Sequence, residues 1–261
     1  MAETTVTLAG GTEMPLVGIG TWQLSGASGY NAVRKALDIG YRHIDTATMY
    51  LNEAVVGRAV RDSGVPREEL FITTKLPPAK VGRERKTLEE SLHDLGTEYV
   101  DLWLIHWPPR DGASPGTWQH FLDARQEHLA RAVGVSNYST AQIDQLVAAT
   151  GQAPEVNQIR WGPSLFDSRR LEESRERGVV LEGYSPFKST NLRNQVLTEI
   201  AAAHGVSAAQ VVLRWHLEHG IVVIPKSARA ERIATNFDVF SFTLTPDEVT
   251  RIDALAHLGP R

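Results

Sequence analysis

Residues 71–107 read FITTKLPPAKVGRERKTLEESLHDLGTEYVDLWLIHW, and they give the clearest indication of the architecture. The stretch opens with an apolar, β-branched run, Phe71–Leu76, and closes with a second one, Val100–Trp107. Between the two runs, leucines recur at helical spacing and are followed by a glycine, a residue that often ends helices: Leu88, Leu92, Leu95 and Gly96. Strands that are apolar throughout and separated by a helix are typical of a parallel sheet buried on both faces.

The same alternation extends over the whole chain. Helix-like segments separate eight apolar runs: Leu16–Gly20, Tyr41–Thr46, Phe71–Leu76, Val100–Trp107, Ala132–Ser136, Glu155–Ile159, Val179–Tyr184 and Ile221–Pro225. Eight such units in about 200–250 residues are typical of an α/β fold, the (β/α)8 TIM barrel, and we predict one barrel domain over residues 1–261. Residues 5–16, with two glycines between short β-like runs, predict an N-terminal β-hairpin. An open doubly wound sheet is the alternative, but it usually carries a Gly-x-Gly-x-x-Gly turn, which this sequence lacks.

Capping signals predict where two helices begin. Ser139 with Gln142, and Thr245 with Glu248, have the spacing of a capping box. The second helix is expected to end near Ala256, which leaves residues 257–261 as a short C-terminal tail. Five residues span at most about 17 Å, too little to cross a barrel mouth. We therefore expect this tail to leave the mouth of the barrel open.

Composition excludes several classes of function. The hydrophobic fraction is 42% and the charged fraction 22%, which is ordinary for a soluble globule. The net charge of −4 and the scattered basic residues argue against nucleic acid or a membrane surface as partner. Cysteine is absent, which excludes disulfides and thiolate chemistry, and we expect no metal site. With neither a signal-like N-terminus nor a membrane-length apolar stretch, we predict a cytoplasmic protein that acts as a monomer.

Polar residues mark the ends of three successive predicted strands. Lys75 follows Asp45 by 30 residues and His106 follows Lys75 by 31, each about one strand–helix unit. Tyr50 lies five residues after Asp45, on the loop beyond its strand. Taken singly, a strand-end Asp, Lys or His more often forms an ion pair or a buried hydrogen bond than acts in catalysis. Tyr50 alone would more often be an aromatic residue at the barrel rim. Together they would meet at the catalytic rim of a barrel.

The residue types suggest proton donation to a carbonyl. Lys75 lies in an apolar strand, where a charge is costly unless it is paired, and Asp45 is the expected partner. A tyrosine with a pKa near 10 donates protons poorly, and a neighbouring ammonium would lower that pKa. A shift of three units corresponds to roughly 4 kcal/mol. We expect His106 to hydrogen-bond and orient the incoming carbonyl.

These motifs resemble those of the aldo-keto reductase family, over about residues 5–255. The resemblance rests on Gly20-Thr21-Trp22, His43-Ile44-Asp45-Thr46-Ala47, Tyr50-x-Asn52-Glu53, Thr74-Lys75-Leu76 and His106-Trp107-Pro108. It is strongest to the bacterial branch that contains the diketogluconate reductases. The family implies a catalytic tetrad of Asp45, Tyr50, Lys75 and His106 and a reaction in which NADPH reduces aldehydes or ketones to alcohols.

The resemblance also implies a nicotinamide site. On their own, Ser136 and Asn137 could be helix caps, Gln158 a buried hydrogen-bonding residue and Tyr184 core packing. In the family, the matching Ser, Asn and Gln hold the nicotinamide carboxamide, and the Tyr lies against the ring. Ser185 follows Tyr184 in the same motif and is assigned to the cofactor as well.

The last predicted strand leads into a basic segment. A helix N-terminus capped by Ser227, with positive charge around it, would form an anion site. The alternative is a solvated basic face. The resemblance implies that the 2′-phosphate of NADPH binds here, to Lys226, Ser227, Arg229, Arg232 and Asn236. Three positions depart from the family pattern and bear on adenine affinity and cofactor release: Thr235, Arg160 and Lys188.

Two other functions remain open at the level of sequence. Lys75 could be the nucleophile of a Schiff-base aldolase, since that chemistry also occurs in barrels with a buried lysine. The protein could instead be a redox sensor that binds NADPH with little turnover. For the reductase, we predict that Trp22 and Trp107 form apolar walls of the substrate pocket.

Overall fold

Eight parallel strands follow one another around a barrel covered by helices in the computed structural model, which describes residues 4–188 and 190–258. A two-stranded antiparallel hairpin precedes the barrel. The hairpin strands are β1 (Thr5–Thr7) and β2 (Glu13–Pro15), and the barrel strands are β3 (Ile19–Gly20), β4 (His43–Asp45), β5 (Phe71–Leu76), β6 (Val100–Ile105), β7 (Ala130–Ser136), β8 (Val156–Arg160), β9 (Val180–Tyr184) and β10 (Val222–Val223). The helices are α1 (Gly26–Ile39), α2 (Glu53–Ser63), α3 (Glu84–Leu95), α4 (Pro115–Gln126), α5 (Thr140–Thr150), α6 (Ser168–Glu176), α7 (Gln195–His204), α8 (Ala208–Glu218), α9 (Ala230–Phe237) and α10 (Pro246–Asp253).

The barrel closes where the first strand meets the last. Val17 forms a parallel bridge with Val223, and Gly18 N donates to Val223 O at 2.9 Å. A Cβ added at Gly20 would lie 2.9 Å from the carbonyl oxygen of Ile224, a distance that real Cβ atoms do not show. Glycine is therefore required at this position, because the two backbones approach too closely for any side chain.

The predicted fold is confirmed, and the bounds differ mainly at the closing strands. Phe71–Leu76 is a strand over the residues predicted. The runs Leu16–Gly20 and Ile221–Pro225 are buried almost throughout, but only two residues of each have regular strand pairing. An apolar run indicates which residues are buried, and burial continues beyond the last hydrogen bond between the strands. The predicted strands were therefore too long at both positions.

The predicted helix signals are present. Gly96 ends α3 in the left-handed conformation, and both Ser139 and Thr245 form capping boxes. Ser139 caps α5, so Ser136 and Asn137 are not the helix caps that the alternative interpretation allowed. Residues 254–258 continue beyond α10 as a 3₁₀ helix, so the predicted tail begins later than expected, and residues 259–261 of it lie outside the described residues.

One predicted cap is wrong. Helix α9 begins at Ala230 with Arg229 at the N-cap position and without a side-chain cap. The Ser227 hydroxyl instead accepts a hydrogen bond from Arg229 N at 3.1 Å. This bond closes a tight turn, in which a serine hydroxyl accepts from the backbone N–H two residues later. Ser227 therefore lies too far before α9 to cap it.

Within residues 4–188 and 190–258, no single helix is long and apolar enough to cross a membrane. Helices α7 and α8 reach that length and apolarity only when taken together, and a 90° bend separates them.

The barrel interior near its carboxyl end is polar. Alternate residues of a strand face the same side, so His43 and Asp45 share the inner face of β4, and Thr73 and Lys75 share that of β5. Glu182 on β9 pairs in register with Gln158 on β8. All six side chains are buried. The strands therefore carry a polar network from the barrel interior to its mouth.

Candidate active site

The four predicted catalytic residues come together at the carboxyl end of the barrel. Asp45 is the last residue of β4, Lys75 the last but one of β5, and His106 follows β6 directly. Tyr50 ends a 3₁₀ turn at Thr48–Tyr50. Asp45, Tyr50 and His106 line a cavity of about 310 Å³, a size that suits a small ligand.

The turn that carries Tyr50 is held to the strands by its own side chains. Thr48 Oγ1 donates to Lys75 O at 2.9 Å, which ties the turn to β5. Asn52 is buried and donates from Nδ2 to Thr21 O at 2.8 Å and to Leu24 O at 2.7 Å. These bonds join the loops after β3 and β4, so the position of the phenol is fixed by the backbone around it.

Lys75 is fully buried and has three oxygen partners. Its Nζ donates to Asp45 Oδ1 at 2.7 Å and to Thr46 O at 2.8 Å. The third partner is the Tyr50 phenol oxygen, at 3.5 Å. The predicted pairing of Lys75 with Asp45 is thus present, and it offsets the cost of burying the ammonium. Burial lowers the pKa of Lys75, but the charge and hydrogen bond of Asp45 act together with Tyr50 and Glu182 to outweigh it, and the pKa lies above its ordinary value.

The pKa of Tyr50 differs from the expectation. Burial raises the pKa of the phenol above its ordinary value, and the Lys75 ammonium opposes this rise without overcoming it. The prediction of a lowered pKa was wrong in direction because it counted the neighbouring charge and not the loss of water around the phenol. Tyr50 therefore keeps its proton at neutral pH, the state that a proton donor requires.

His106 is neutral and has one ring nitrogen that no described residue engages. Burial, assisted by the charge of Lys75, lowers the pKa of the imidazole to about 3. Its Nδ1 is buried without a hydrogen-bond partner among the described residues. The ring lies 5.8 Å from that of Tyr50, measured between centroids. The residue also lines the cavity, so a ligand there can meet the imidazole next to Tyr50.

The residues predicted to hold nicotinamide form one hydrogen-bonded group. Ser136 Oγ donates to Gln158 O at 2.9 Å, Asn137 Nδ2 donates to Ser136 Oγ at 3.0 Å, and Tyr184 Oη donates to Asn137 Oδ1 at 2.9 Å. Asn137 and Ser185 both have left-handed backbones, with φ of 63° and 54°. Such conformations cost free energy in non-glycine residues and are frequent at ligand sites.

The amide of Gln158 has a defined orientation. Its Nε2 donates to Asp45 Oδ2 at 2.7 Å and to Glu182 Oε2 at 2.9 Å, which uses both amide hydrogens. Its Oε1 accepts no hydrogen bond from the described residues, and the residue lines the cavity. An acceptor at the cavity wall fits the N–H of a carboxamide, so the donor set suits the cofactor that the sequence implied.

The basic segment lies beside the same cavity. Lys226 lines the cavity wall, while Arg229 and Arg232 are exposed at the start of α9. None of the three forms an ion pair with any described residue. Ser227 and Asn236 are buried next to them. Three cations without carboxylate partners at one helix end form a region of positive charge suited to an anionic ligand.

The predicted pocket walls are half exposed at the cavity mouth. Trp22 is 44% exposed and Trp107 46% exposed, and both line the cavity. Lys188 also lines the cavity, with its Nζ 4.6 Å from the Trp22 ring centroid, in cation–π contact. Thr235 is exposed on α9, and Arg160 is exposed at the end of β8, opposite Tyr184. Met49 lines the cavity too, although no motif in the sequence selects it.

Sequence reasoning missed two residues beneath the site, Glu182 and His43. Both are fully buried, and Glu182 Oε1 lies 3.4 Å from His43 Nε2. The signal was available, because Glu182 is a charged residue inside the apolar run Val179–Tyr184. The argument that selected Lys75 in its strand applies equally to Glu182 in this one.

Comparison with known proteins agrees with this geometry. The family model described as "Aldo/keto reductase family" matches residues 16–257. Morphine 6-dehydrogenase of Pseudomonas putida is 41% identical, over 98% of this chain and 93% of that protein. Methylglyoxal reductase DkgA of Escherichia coli is 39% identical, over 98% of this chain and 96% of that protein. The structure of Bombyx mori aldo-keto reductase in complex with NADP has a TM-score of 0.91 at 35% identity, over 98% of this chain and 93% of that one.

The chain belongs to the aldo/keto reductase family. Members of this family are oxidoreductases that reduce carbonyl compounds with NADP(H), and the bacterial branch suggested by the sequence motifs is confirmed.

Proposed function

We propose that this protein uses NADPH to reduce small aldehydes and ketones to alcohols, with Tyr50 as the proton donor. The observation that carries the proposal is the position of Lys75 Nζ, which lies 2.7 Å from Asp45 Oδ1 and 3.5 Å from the Tyr50 oxygen. An ammonium held by a carboxylate and placed beside a phenol can stabilise the phenolate that remains once the proton has left.

The side chains divide the reaction between them. NADPH, when bound, supplies a hydride to the carbonyl carbon. His106 is neutral and hydrogen-bonds the substrate oxygen, which orients the carbonyl toward Tyr50. As negative charge develops on that oxygen, the Tyr50 hydroxyl gives it a proton, and the phenolate is stabilised by Lys75. Asp45 holds Lys75 in position and keeps it protonated.

The cofactor is held, in this proposal, by residues on both sides of the cavity. Ser136, Asn137 and Gln158 bind the carboxamide, and Tyr184 with Ser185 supports the ring. The unpaired cations Lys226, Arg229 and Arg232, with Ser227 and Asn236 beside them, bind the 2′-phosphate, which favours NADPH over NADH. The structure of the Bombyx mori relative is a complex with NADP, which supports the choice of cofactor.

The aldolase alternative has less support. A Schiff-base lysine must lose its proton to act as a nucleophile. Burial lowers the pKa of Lys75, but Asp45, Tyr50 and Glu182 together raise it above its ordinary value. The ammonium is also engaged by three oxygens. Lys75 is therefore kept in the charged form, which suits a phenolate partner and not a nucleophile.

The test is to mix the protein with NADPH and methylglyoxal and to follow NADPH absorbance at 340 nm. Methylglyoxal is chosen because one relative is a methylglyoxal reductase. Turnover supports the reductase. Quenched tryptophan fluorescence without turnover on any of several aldehydes would favour the redox sensor, and borohydride trapping of a carbonyl compound on Lys75 would favour the aldolase. Size-exclusion chromatography tests the accompanying proposal that the protein is a monomer.

A further inference from the structure

A buried carboxyl lies beneath the tetrad and has no part in the reaction proposed above. Glu182 is in the middle of β9, is fully buried, and pairs in register with Gln158 on β8 and Val222 on β10. Its Oε2 accepts a hydrogen bond from Gln158 Nε2 at 2.9 Å. Its Oε1 is buried without a hydrogen-bond partner among the described residues and lies 3.4 Å from His43 Nε2.

The surroundings of His43 define where a proton must be. His43 Nδ1 lies 3.2 Å from the carbonyl oxygen of Pro15, which can only accept, so Nδ1 carries a hydrogen. Burial lowers the pKa of this imidazole to about 3, so the ring is neutral and its Nε2 is an acceptor. An ionised Glu182 would place two lone pairs against each other at 3.4 Å. One proton between Glu182 Oε1 and His43 Nε2 removes that conflict.

Glu182 also determines how Gln158 presents its amide. The two hydrogens on Gln158 Nε2 go to Asp45 and Glu182, and a reversed amide would direct its oxygen at two acceptors. The carboxyl of Glu182 therefore keeps the oxygen of Gln158 turned toward the cavity that this residue lines.

We propose that Glu182 is a positioning residue that works as a neutral acid. Together with His43 it holds one proton, so that Lys75 faces a single carboxylate, and it fixes the amide of Gln158 for the cofactor. This inference rests on the proposed reductase function.

The charges around Glu182 set the pH at which this arrangement fails. Asp45 and His43 face it from β4 and Lys75 from β5, while β10 contributes only the apolar Val222. Outside the barrel, His216 of α8 packs against the neighbouring Gly183. Burial raises the pKa of Glu182 to about 8, and the charge of Asp45 adds to the rise. Above that pH a second carboxylate would compete with Asp45 for Lys75, and carbonyl reduction should decline.

Tyr50 does not explain such a decline. Burial raises the pKa of the phenol above its ordinary value, so Tyr50 keeps its proton through this range. A decline in kcat/KM above about pH 8 would therefore report the group beneath the tetrad and not the proton donor.

Three variants test the proposal. Glu182→Gln mimics the neutral acid, because its oxygen can accept from Gln158 and its NH2 can donate to His43. It should keep kcat/KM within about 3-fold of wild type at pH 7 and lose the decline above pH 8. Glu182→Leu removes the acceptor, so NADPH affinity measured by fluorescence should fall about 3–10-fold. Glu155→Gln, a buried glutamate beyond the other end of β8 that is paired with Arg125, is the control and should keep the wild-type pH profile.

A second measurement is independent of turnover and of cofactor. Glu182 stays protonated in the folded state up to about pH 8, whereas an unfolded glutamate ionises near 4.5. The folded state then binds more protons between these values, so its stability falls as the pH rises through them. Glu182→Gln has no carboxyl group at this position, so its stability does not fall with pH for this reason. Its Tm minus that of the wild type should therefore increase between pH 5 and 8, by about 5 °C or more, and level off above.

The outcomes are distinguishable. A constant Tm difference between pH 5 and 8, or loss of most activity in Glu182→Gln at pH 7 while the wild type is active, overturns the neutral-acid proposal. If the wild type itself reduces no carbonyl compound, the proposed function fails, and the Tm comparison still tests the protonation of Glu182. If Glu182→Leu does not fold, the comparison of Glu182→Gln with the wild type decides.

Discussion

The phenol proton of Tyr50 is the group on which the proposed reaction depends most directly. Tyr50→Phe removes this proton and leaves the ring between Lys75 and His106. We expect kcat for methylglyoxal to fall about 10²–10⁴-fold, the usual contribution of general acid catalysis, while NADPH affinity stays within about 3-fold. Steady-state kinetics and fluorescence titration measure the two quantities.

A matched control for this variant is Tyr30→Phe. The Tyr30 hydroxyl donates to Asp62 at 2.7 Å on the outside of the barrel, away from the cavity. Its kinetics should equal those of the wild type. Near-normal turnover by Tyr50→Phe would mean that the proton comes from another group.

Individual residues show where sequence reasoning reaches its limit. The pairing of Lys75 with Asp45 could be predicted, because a charge in an apolar strand requires a partner and the strand spacing indicated which one. The direction of the Tyr50 pKa could not be predicted, because it depends on how much water is removed around the phenol, and burial of a loop residue has no signature in sequence. Glu182 could have been found by the argument used for Lys75.

Helix α9 and the segment before it carry the proposed preference for NADPH. Arg232→Ala removes a cation that has no carboxylate partner among the described residues. Losing one charge-assisted hydrogen bond to a 2′-phosphate should weaken NADPH binding about 10–100-fold and leave NADH binding nearly unchanged. Dissociation constants for both cofactors, measured by fluorescence titration, test this.

Lys86→Ala on α3 is the control for Arg232→Ala, since it also removes an exposed cation but lies on another helix. It should leave the NADPH and NADH affinities unchanged. Equal losses for the two cofactors in Arg232→Ala would show that Arg232 stabilises the helix and that the phosphate binds elsewhere.

Elements as units were predicted better than their ends. The capping boxes of α5 and α10 were correct because the interacting side chains are three residues apart in sequence. The cap by Ser227 was wrong because a serine can close a turn just as well as it caps a helix. The hydrogen bond that decides between them depends on where the chain turns after β10, which local sequence does not specify.

The shape of the whole cavity bears on substrate breadth. Both tryptophan walls are nearly half exposed, at 44% and 46%, so a bound substrate would remain in contact with water on one side. We expect KM values for small aldehydes near 1 mM or above, and kcat/KM values that vary gradually among aliphatic, aromatic and sugar-derived carbonyl compounds. A panel assay measures this. One substrate preferred by orders of magnitude over its close analogues would contradict the expectation.

The closure of the barrel between β3 and β10 has a consequence for local unfolding. Few backbone bonds between described residues hold it, among them Gly18 N to Val223 O at 2.9 Å and Gly20 N to Pro225 O at 3.2 Å. Amide hydrogens at so short a pairing should exchange with deuterium sooner than those of the longer β5–β6 ladder.

Gly20 on one side of this closure and Ile224 and Lys226 on the other all line the candidate cofactor cavity. A ligand that contacts both sides binds only the closed barrel, so NADP⁺ at 100 times its Kd should slow exchange at Gly18 and Gly20 by up to about 100-fold. Exchange at Arg175, in the last turn of the outer helix α6, should hardly change, because this helix end can fray while the cavity stays intact. The cofactor would then help to keep β3 paired with β10. Without the cofactor, the protein would be most susceptible to proteases at this pairing.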